Sequence, residues 1–284
     1  MKFSVFFLYL LRVAEQEKIT LDEALHYAAE LGYTAVDIDK DELKNYPDAL
    51  RLIRKNGLTV CNIYGEYDLV NGKCSDACEL IDYAKQSGAK VAMLLAGSFD
   101  AGELTAEHIA SDGAMKRFLR ENEKAVRALH AIKKTAAYAK TQGVALTVES
   151  FGGNRSLTSY ISQIEWLLDE VEELHFTFDI GNFYLNGQDI FKAYEKFSSK
   201  SVHVHCKDYL TEPSVGSKEF SYAKISVPVG QGKAPTKELV KRFLKEGYDG
   251  YFTVEYLGID GTAKVLKESM EYLKTIGKKK GEEE

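Results

Sequence analysis

The 284-residue chain is predicted to be an α/β protein closed into a single (β/α)8 TIM barrel, and three features of the sequence predict it. A helical stretch, a glycine and a short apolar run recur along its length. The runs are rich in β-branched and aromatic residues and apolar at consecutive positions, as strands covered on both faces must be. Four of the later runs, LTVES (146–150), FTFDI (176–180), VHVHC (202–206) and FTVEY (252–256), carry an acid or a histidine at their ends.

The first element is the apolar stretch MKFSVFFLYLL. A lysine ahead of a nine-residue apolar run resembles a short signal peptide, yet no small-x-small cleavage site follows. Arg12, Val13, Ala14 and Glu15 come next, and a buried strand from Phe3 is the expectation. Thr20 and Glu23 then form a capping box that opens ITLDEALHYAAEL, whose apolar residues recur at helical spacing. Gly32, Gly57, Gly88, Gly143 and Gly247 stand where helices end on a left-handed residue. Eight strands are expected near 3–8, 34–39, 58–64, 90–96, 144–149, 174–179, 201–206 and 250–255, each followed by a helix. Two segments break the spacing. Residues 98–120 delay the fourth helix, which then runs to about 142, and 207–235 form a long loop containing VPVGQGKAP. The ending GKKKGEEE reads as solvated, with 278–284 a frayed tail. Without a linker or composition shift, residues 1–284 are expected to form one domain.

A net charge of −6 argues against a nucleic-acid surface, which needs a basic footprint. No other stretch approaches the roughly 18 apolar residues of a membrane span, so no membrane is expected. Four cysteines in so long a chain make no disulfide framework. Cys74 and Cys78, one helical turn apart, lack partners for a metal site and read as ordinary helix residues. The cysteine pattern suits a reducing cytoplasm.

The strand ends decide between an open and a closed sheet. Metal ligands sit about 2 Å from their ion, so four must converge. Four neighbouring strands of an open sheet, about 4.8 Å apart, spread over roughly 14 Å. A closed barrel rings its strand ends around one mouth. Residues two apart on a strand share a face, so Thr147, Thr177, His203 and Thr253 should lie one layer below Glu149, Asp179, His205 and Glu255. Three carboxylates and an imidazole form a four-ligand metal site with room for substrate oxygens. His203, lower down, reads as a packed or supporting residue. One divalent ion is expected, Mn²⁺ first, with Mg²⁺, Zn²⁺ and Co²⁺ as alternatives.

TVES, FDIGN, HVHCKD and GYDGYFTVE, in this order, resemble the xylose isomerase-like barrel superfamily and its sugar phosphate isomerase/epimerase branch. VGQGKAP is similar to that family's glycine-rich loop before the last βα unit. The resemblance implies Glu149, Asp179, His205 and Glu255 as metal ligands, and Asn182 and Lys207 as substrate contacts at the mouth. It also implies a metal-stabilised enediolate, with Glu149 and Glu255 flanking the substrate carbon as proton-transfer groups. The resemblance thus implies isomerisation or epimerisation of a small sugar or sugar phosphate. The alternative is a dehydratase acting on a keto-polyol or keto-sugar from the same proton abstraction. Three positions depart from the ketose 3-epimerase pattern: Asn182 replaces a histidine, Arg155 a glutamate and Thr211 an arginine. Arg155 and Lys207 point toward an anionic substrate. Tyr64 and Glu66, just past the third strand, are further candidates for the mouth, and either Asp37 or Asp39 should face inward. Trp166 is expected to pack in a helix. Apurinic endonucleases share this barrel, but their trinuclear zinc site needs more histidines than the six here. A non-catalytic sugar-binding barrel is disfavoured by the intact ligand set. The sequence leaves room for a homo-oligomer.

Overall fold

A computed structural model describes residues 1–153, 155–210 and 225–277. Eight parallel strands close into a barrel: β1 (Lys2–Phe6), β2 (Ala35–Asp39), β3 (Thr59–Glu66), β4 (Val91–Leu95), β5 (Ala145–Glu149), β6 (His175–Asp179), β7 (Ser201–Cys206) and β8 (Tyr251–Val254). They run around the barrel in sequence order, with β8 paired to β1. The family-like (β/α)8 fold expected from the sequence is present.

Several boundaries differ from expectation for physical reasons. The N-terminal apolar run divides at Phe6, and the helix Phe7–Glu17 begins where β1 ends. Ser4 and Phe6 turn into the barrel and Phe7, Tyr9, Leu10 and Val13 are buried on the helix, so one run serves two elements. β3 extends to Glu66 because its end pairs with Leu94 and Leu95 of β4. Tyr64 and Glu66 are therefore strand residues.

Residues 98–120 are largely helical. Ser111 caps the helix Asp112–Glu121 by accepting from the Ala114 N–H at 3.2 Å, and Met115 and Leu119 bury its inner face. Asn122 then accepts from the Ala125 N–H at 3.0 Å and starts the helix Glu123–Gln142. Cys74 lies in the turn before the helix Cys78–Ser87 rather than within it. In the segment after β7, Asp208–Tyr209 pairs antiparallel with Ser226–Val227. Thr211 and the 278–284 tail lie outside the described residues.

Outside the barrel wall, Phe176 and Phe178 of β6 and Phe252 of β8 pack with Phe183, Tyr194, Phe197 and Phe243 from the helical layer. Each fully buried aromatic contributes about 1.5–3 kcal/mol, which fixes the strands whose opposite faces carry the polar site. Trp166 is buried in the helix Ile161–Glu170. Among the described residues, no helix is long and apolar enough to cross a membrane.

Candidate metal centre at the barrel mouth

The strand register is sheared, as closure requires: Glu149 lies opposite Thr177, Asp179 opposite His205, and His205 opposite Thr253. From these steps Glu149, Asp179, His205 and Glu255 converge, with one potential ligand atom of each within 4.8 Å of the others. His205 Nδ1 is 2.7 Å from Glu149 Oε1 and 3.5 Å from Glu255 Oε2. Asp179 is anchored through Oδ1, which accepts from the backbone N–H groups of Gly181 (2.7 Å) and Asn182 (2.6 Å).

The other oxygens are what suit this group to a cation. Among the described residues, no hydrogen-bond donor satisfies Asp179 Oδ2 or Glu255 Oε2, although both atoms are buried. A buried carboxylate oxygen without a donor is costly unless a cation meets it. Lys207 Nζ lies 3.0 Å from Asp179 Oδ2 and 2.7 Å from Glu255 Oε1, contacts that balance charge without hydrogen-bonding geometry. With His205 neutral, as a metal ligand has to be, three carboxylates at −3 and one ammonium at +1 leave −2, the charge a divalent ion neutralises. Burial pushes the Asp179 carboxyl up to about 6, against the pull of Lys207, and raises Glu255 in the same way. Burial disfavours the His205 cation, but Glu149 and Asp37 outweigh it and hold the imidazole well above its usual range. The donor set fits a divalent metal, held by Glu149, Asp179, His205 Nδ1 and Glu255.

Below this ring lies a second polar layer organised by Asp37, fully buried on β2. Its Oδ2 meets His203 Nε2 at 2.7 Å, Asn62 Nδ2 at 2.9 Å and His205 Nε2 at 3.3 Å. Its Oδ1 accepts from Cys61 Sγ at 3.1 Å and Thr253 Oγ1 at 3.2 Å. Occupying Nε2 of His205 leaves Nδ1 directed at the carboxylates, so Asp37 sets the orientation of the imidazole. Thr253 also contacts Ser4 (2.5 Å) and His203 Nε2 (2.9 Å), while Thr177 donates to Thr147 at 2.8 Å. Asp39 shares the strand face of Asp37, but at the strand end its carboxylate accepts from the Asp41 N–H and caps the next helix.

Above the ring, Lys207 donates to Asn182 Oδ1 at 3.2 Å, and Asn182 Nδ2 donates to the Ser150 carbonyl at 2.6 Å. These two expected substrate contacts therefore adjoin the metal candidates. Tyr64 is half-buried, its ring 5.3 Å from Phe6, which stands 5.0 Å from the His205 ring. Glu66 lies farther out, lining a cleft with Leu95, Ser98, Phe151 and Thr158. Arg155 is exposed; its carbonyl accepts from the Phe99 N–H at 2.8 Å, and its side chain does not join the ring. A surface groove between Glu107, His108, Arg117 and Glu121 shares no residue with the ring.

Asp208 escaped the sequence reading. Its carboxylate accepts from the backbone N–H groups of Tyr209, Gly230, Gly232 and Ala234, each at 2.9 Å, and so fastens the VGQGKAP loop beside the mouth. A Cβ on Gly232 would fall 2.2 Å from Asp208 Oδ1, which is why glycine is required there. The available signal was an acid at a position where the alternation of VHVHCKDY calls for an apolar residue, followed by the glycines of VGQGKAP.

Solved structures that cover nearly the whole chain do so at low identity. The probable 3-DHS dehydratase AsbF of Bacillus anthracis shares 16% identity over 96% of this chain and 99% of its own, with a TM-score of 0.68. A D-tagatose 3-epimerase-like protein shares 17% over 97% and 98%, also at 0.68. The IOLI protein, solved with a zinc atom, shares 15% over 97% and 96%, again at 0.68. At such identity the likeness concerns the fold. No curated protein sequence matches the chain. Residues 25–276 match the family model described as xylose isomerase-like TIM barrel, and the chain belongs to that family.

Proposed function

We propose that the protein is a divalent-metal-dependent isomerase or epimerase of a small sugar or sugar phosphate. The observation that carries this reading is the convergence of Glu149, Asp179, His205 and Glu255 from four consecutive strands, with two buried carboxylate oxygens that accept no hydrogen bond from the described residues. A divalent ion bound there would polarise a carbonyl oxygen and acidify the adjacent C–H. Glu149 and Glu255 approach from strands three steps apart around the barrel, so their carboxylates can address one carbon from two sides. One removes the proton and the other returns it, giving epimerisation; return to the neighbouring carbon gives isomerisation. Lys207 supplies an ammonium where negative charge gathers on the substrate oxygens, and Asn182 orients that ammonium. Tyr64, Glu66 and Arg155 are proposed as outer substrate contacts. The three hard carboxylates and one imidazole favour Mn²⁺, with Mg²⁺, Zn²⁺ and Co²⁺ as rivals.

A second reading, dehydration of a keto-polyol or keto-sugar, is favoured by Lys207 itself. A buried ammonium 2.7 Å from Glu255 is placed to protonate a departing hydroxyl after the same proton abstraction. The structural likeness to a protein described as a probable dehydratase is compatible with it.

Proton NMR in heavy water separates the two. Mn²⁺-loaded protein, given a panel of ketoses, aldoses and their phosphates, should place deuterium at the α-carbon without losing water. An unsaturated or deoxy product would establish the second reading. Neither exchange nor water loss with any member of the panel would count against both.

A further inference from the structure

The chain continues past β7 with its alternation intact. His203 lies in the lower layer, His205 in the ligand ring and Lys207 above it, each two residues beyond the last. The next residue on that face is Tyr209, buried, and the described residues offer its hydroxyl no hydrogen-bond partner. Its ring lies against the backbone of Gly181, between Asp179 and Asn182. A Cβ on Gly181 would come within 2.9 Å of Tyr209 Cε2 and 2.3 Å of Lys207 Cγ. The charged groups acting on the phenol are Lys207, Asp179 and Glu255. The backbone is held on both sides: the Tyr209 N–H donates to Asp208 Oδ1 at 2.9 Å, and its carbonyl accepts from the Lys233 N–H at 3.0 Å. A pinned, buried hydroxyl without a partner is unfavourable in the free protein and calls for one in a complex.

We propose that Tyr209 is a further substrate-binding residue, whose O–H donates to a substrate hydroxyl or carbonyl oxygen held beside Lys207. The inference rests on the reading of the mouth as a carbohydrate site. It also narrows that reading: this end of the substrate is an oxygen-bearing, uncharged group, because a phenol is a neutral single donor and the nearby ammonium is already shared by Asp179 and Glu255.

The test is Tyr209→Phe, which removes one oxygen and keeps the ring. Mn²⁺-loaded wild type and variant are titrated calorimetrically with xylitol, D-tagatose and D-fructose 6-phosphate, and melted without ligand. The expected result is an unchanged or higher melting temperature and about tenfold weaker binding of the best wild-type probe, the effect of one lost hydrogen bond. Affinity retained within twofold would overturn the proposal. So would a melting temperature lowered by several degrees, which would reveal a structural partner, or a wild type that binds none of the probes. If wild type binds a probe and the variant weakens it, but no α-proton exchanges in heavy water, Tyr209 keeps its role and the isomerase reading falls.

Discussion

The two halves of the barrel wall are built for different tasks. Glu149, Asp179, His205 and Glu255 stand at or just past the ends of strands β5 to β8, and the chain after β7 adds Lys207. Strands β1 to β3 instead supply Ser4, Asp37, Cys61 and Asn62, which bond within the barrel and reach across it. Asp37 joins the halves, meeting His203, His205 and Thr253 from the far side. On one side two buried oxygens accept no hydrogen bond from the described residues, and on the other a single carboxylate accepts several. Carboxylate oxygens without a hydrogen-bonding donor mark the reactive half; a carboxylate with both oxygens hydrogen-bonded marks the half that holds it in place.

The sharpest way to break that division is to remove its joint. Asp37→Ala should strip His203 and Thr253 of a buried partner and cost about 3–5 kcal/mol in urea unfolding, because uncompensated buried groups remain. It should also weaken metal binding about 10–100-fold by freeing the His205 ring, measurable by competition with a chelating dye. A chemical-half change should behave differently. Gly181→Ala places a methyl 2.3 Å from Lys207 Cγ, so it should lower turnover about 100-fold and stability by about 1–3 kcal/mol, while metal content stays near wild type. Metal loss in this variant would mean that Lys207 and the ligand ring cannot be moved independently.

Asp208→Asn probes a region between the two. Asn offers one acceptor oxygen where the carboxylate oxygens divide four backbone donors, so about 1–3 kcal/mol should be lost in urea unfolding. The smallest effect belongs to the supporting side, where Glu42 closes the capping box of the helix Lys40–Asn45 by accepting from the Asp39 N–H at 3.0 Å. Burial pushes its carboxyl from 4.5 up to about 7. A raised acid pKa means the folded state prefers the proton, so this group's contribution is most favourable below about 4.5 and declines as pH rises to about 7. Glu42→Gln keeps the acceptor without the charge. Melting curves from pH 4 to 8 should show it gaining on wild type only through that window; a constant offset would contradict the assignment.

Much of this arrangement was legible because its signals are local. Glycines after helical stretches and doubly covered strands located the eight βα units, and an acid or histidine at an apolar strand end is conspicuous by residue type. Asp37 was harder to single out, since Asp39 lies on the same strand face and only the downstream helix gives the latter a different task. Tyr209 was obscured by the expectation that alternation stops with the strand, whereas the short ladder to Ser226–Val227 carries it further, and Asp208 because its partners in the VGQGKAP loop are backbone N–H groups more than twenty residues on. The helix Asp112–Glu121 had a readable signal in Met115, Phe118 and Leu119 at helical spacing, hidden by its polar surroundings. Contacts such as Asp37 with His203, separated by 166 residues, follow from barrel closure and its register, which no local pattern specifies.

The central claim is that Glu149, Asp179, His205 and Glu255 hold one divalent ion on which activity depends. Glu255→Gln tests it most directly, since the substitution keeps the shape but removes the charge that meets both the cation and Lys207. Metal content by elemental analysis of purified protein, read beside α-proton exchange, should fall from one Mn²⁺ per chain to a small fraction, with exchange lost in parallel. A variant that kept wild-type metal content and wild-type exchange would contradict the four-strand site.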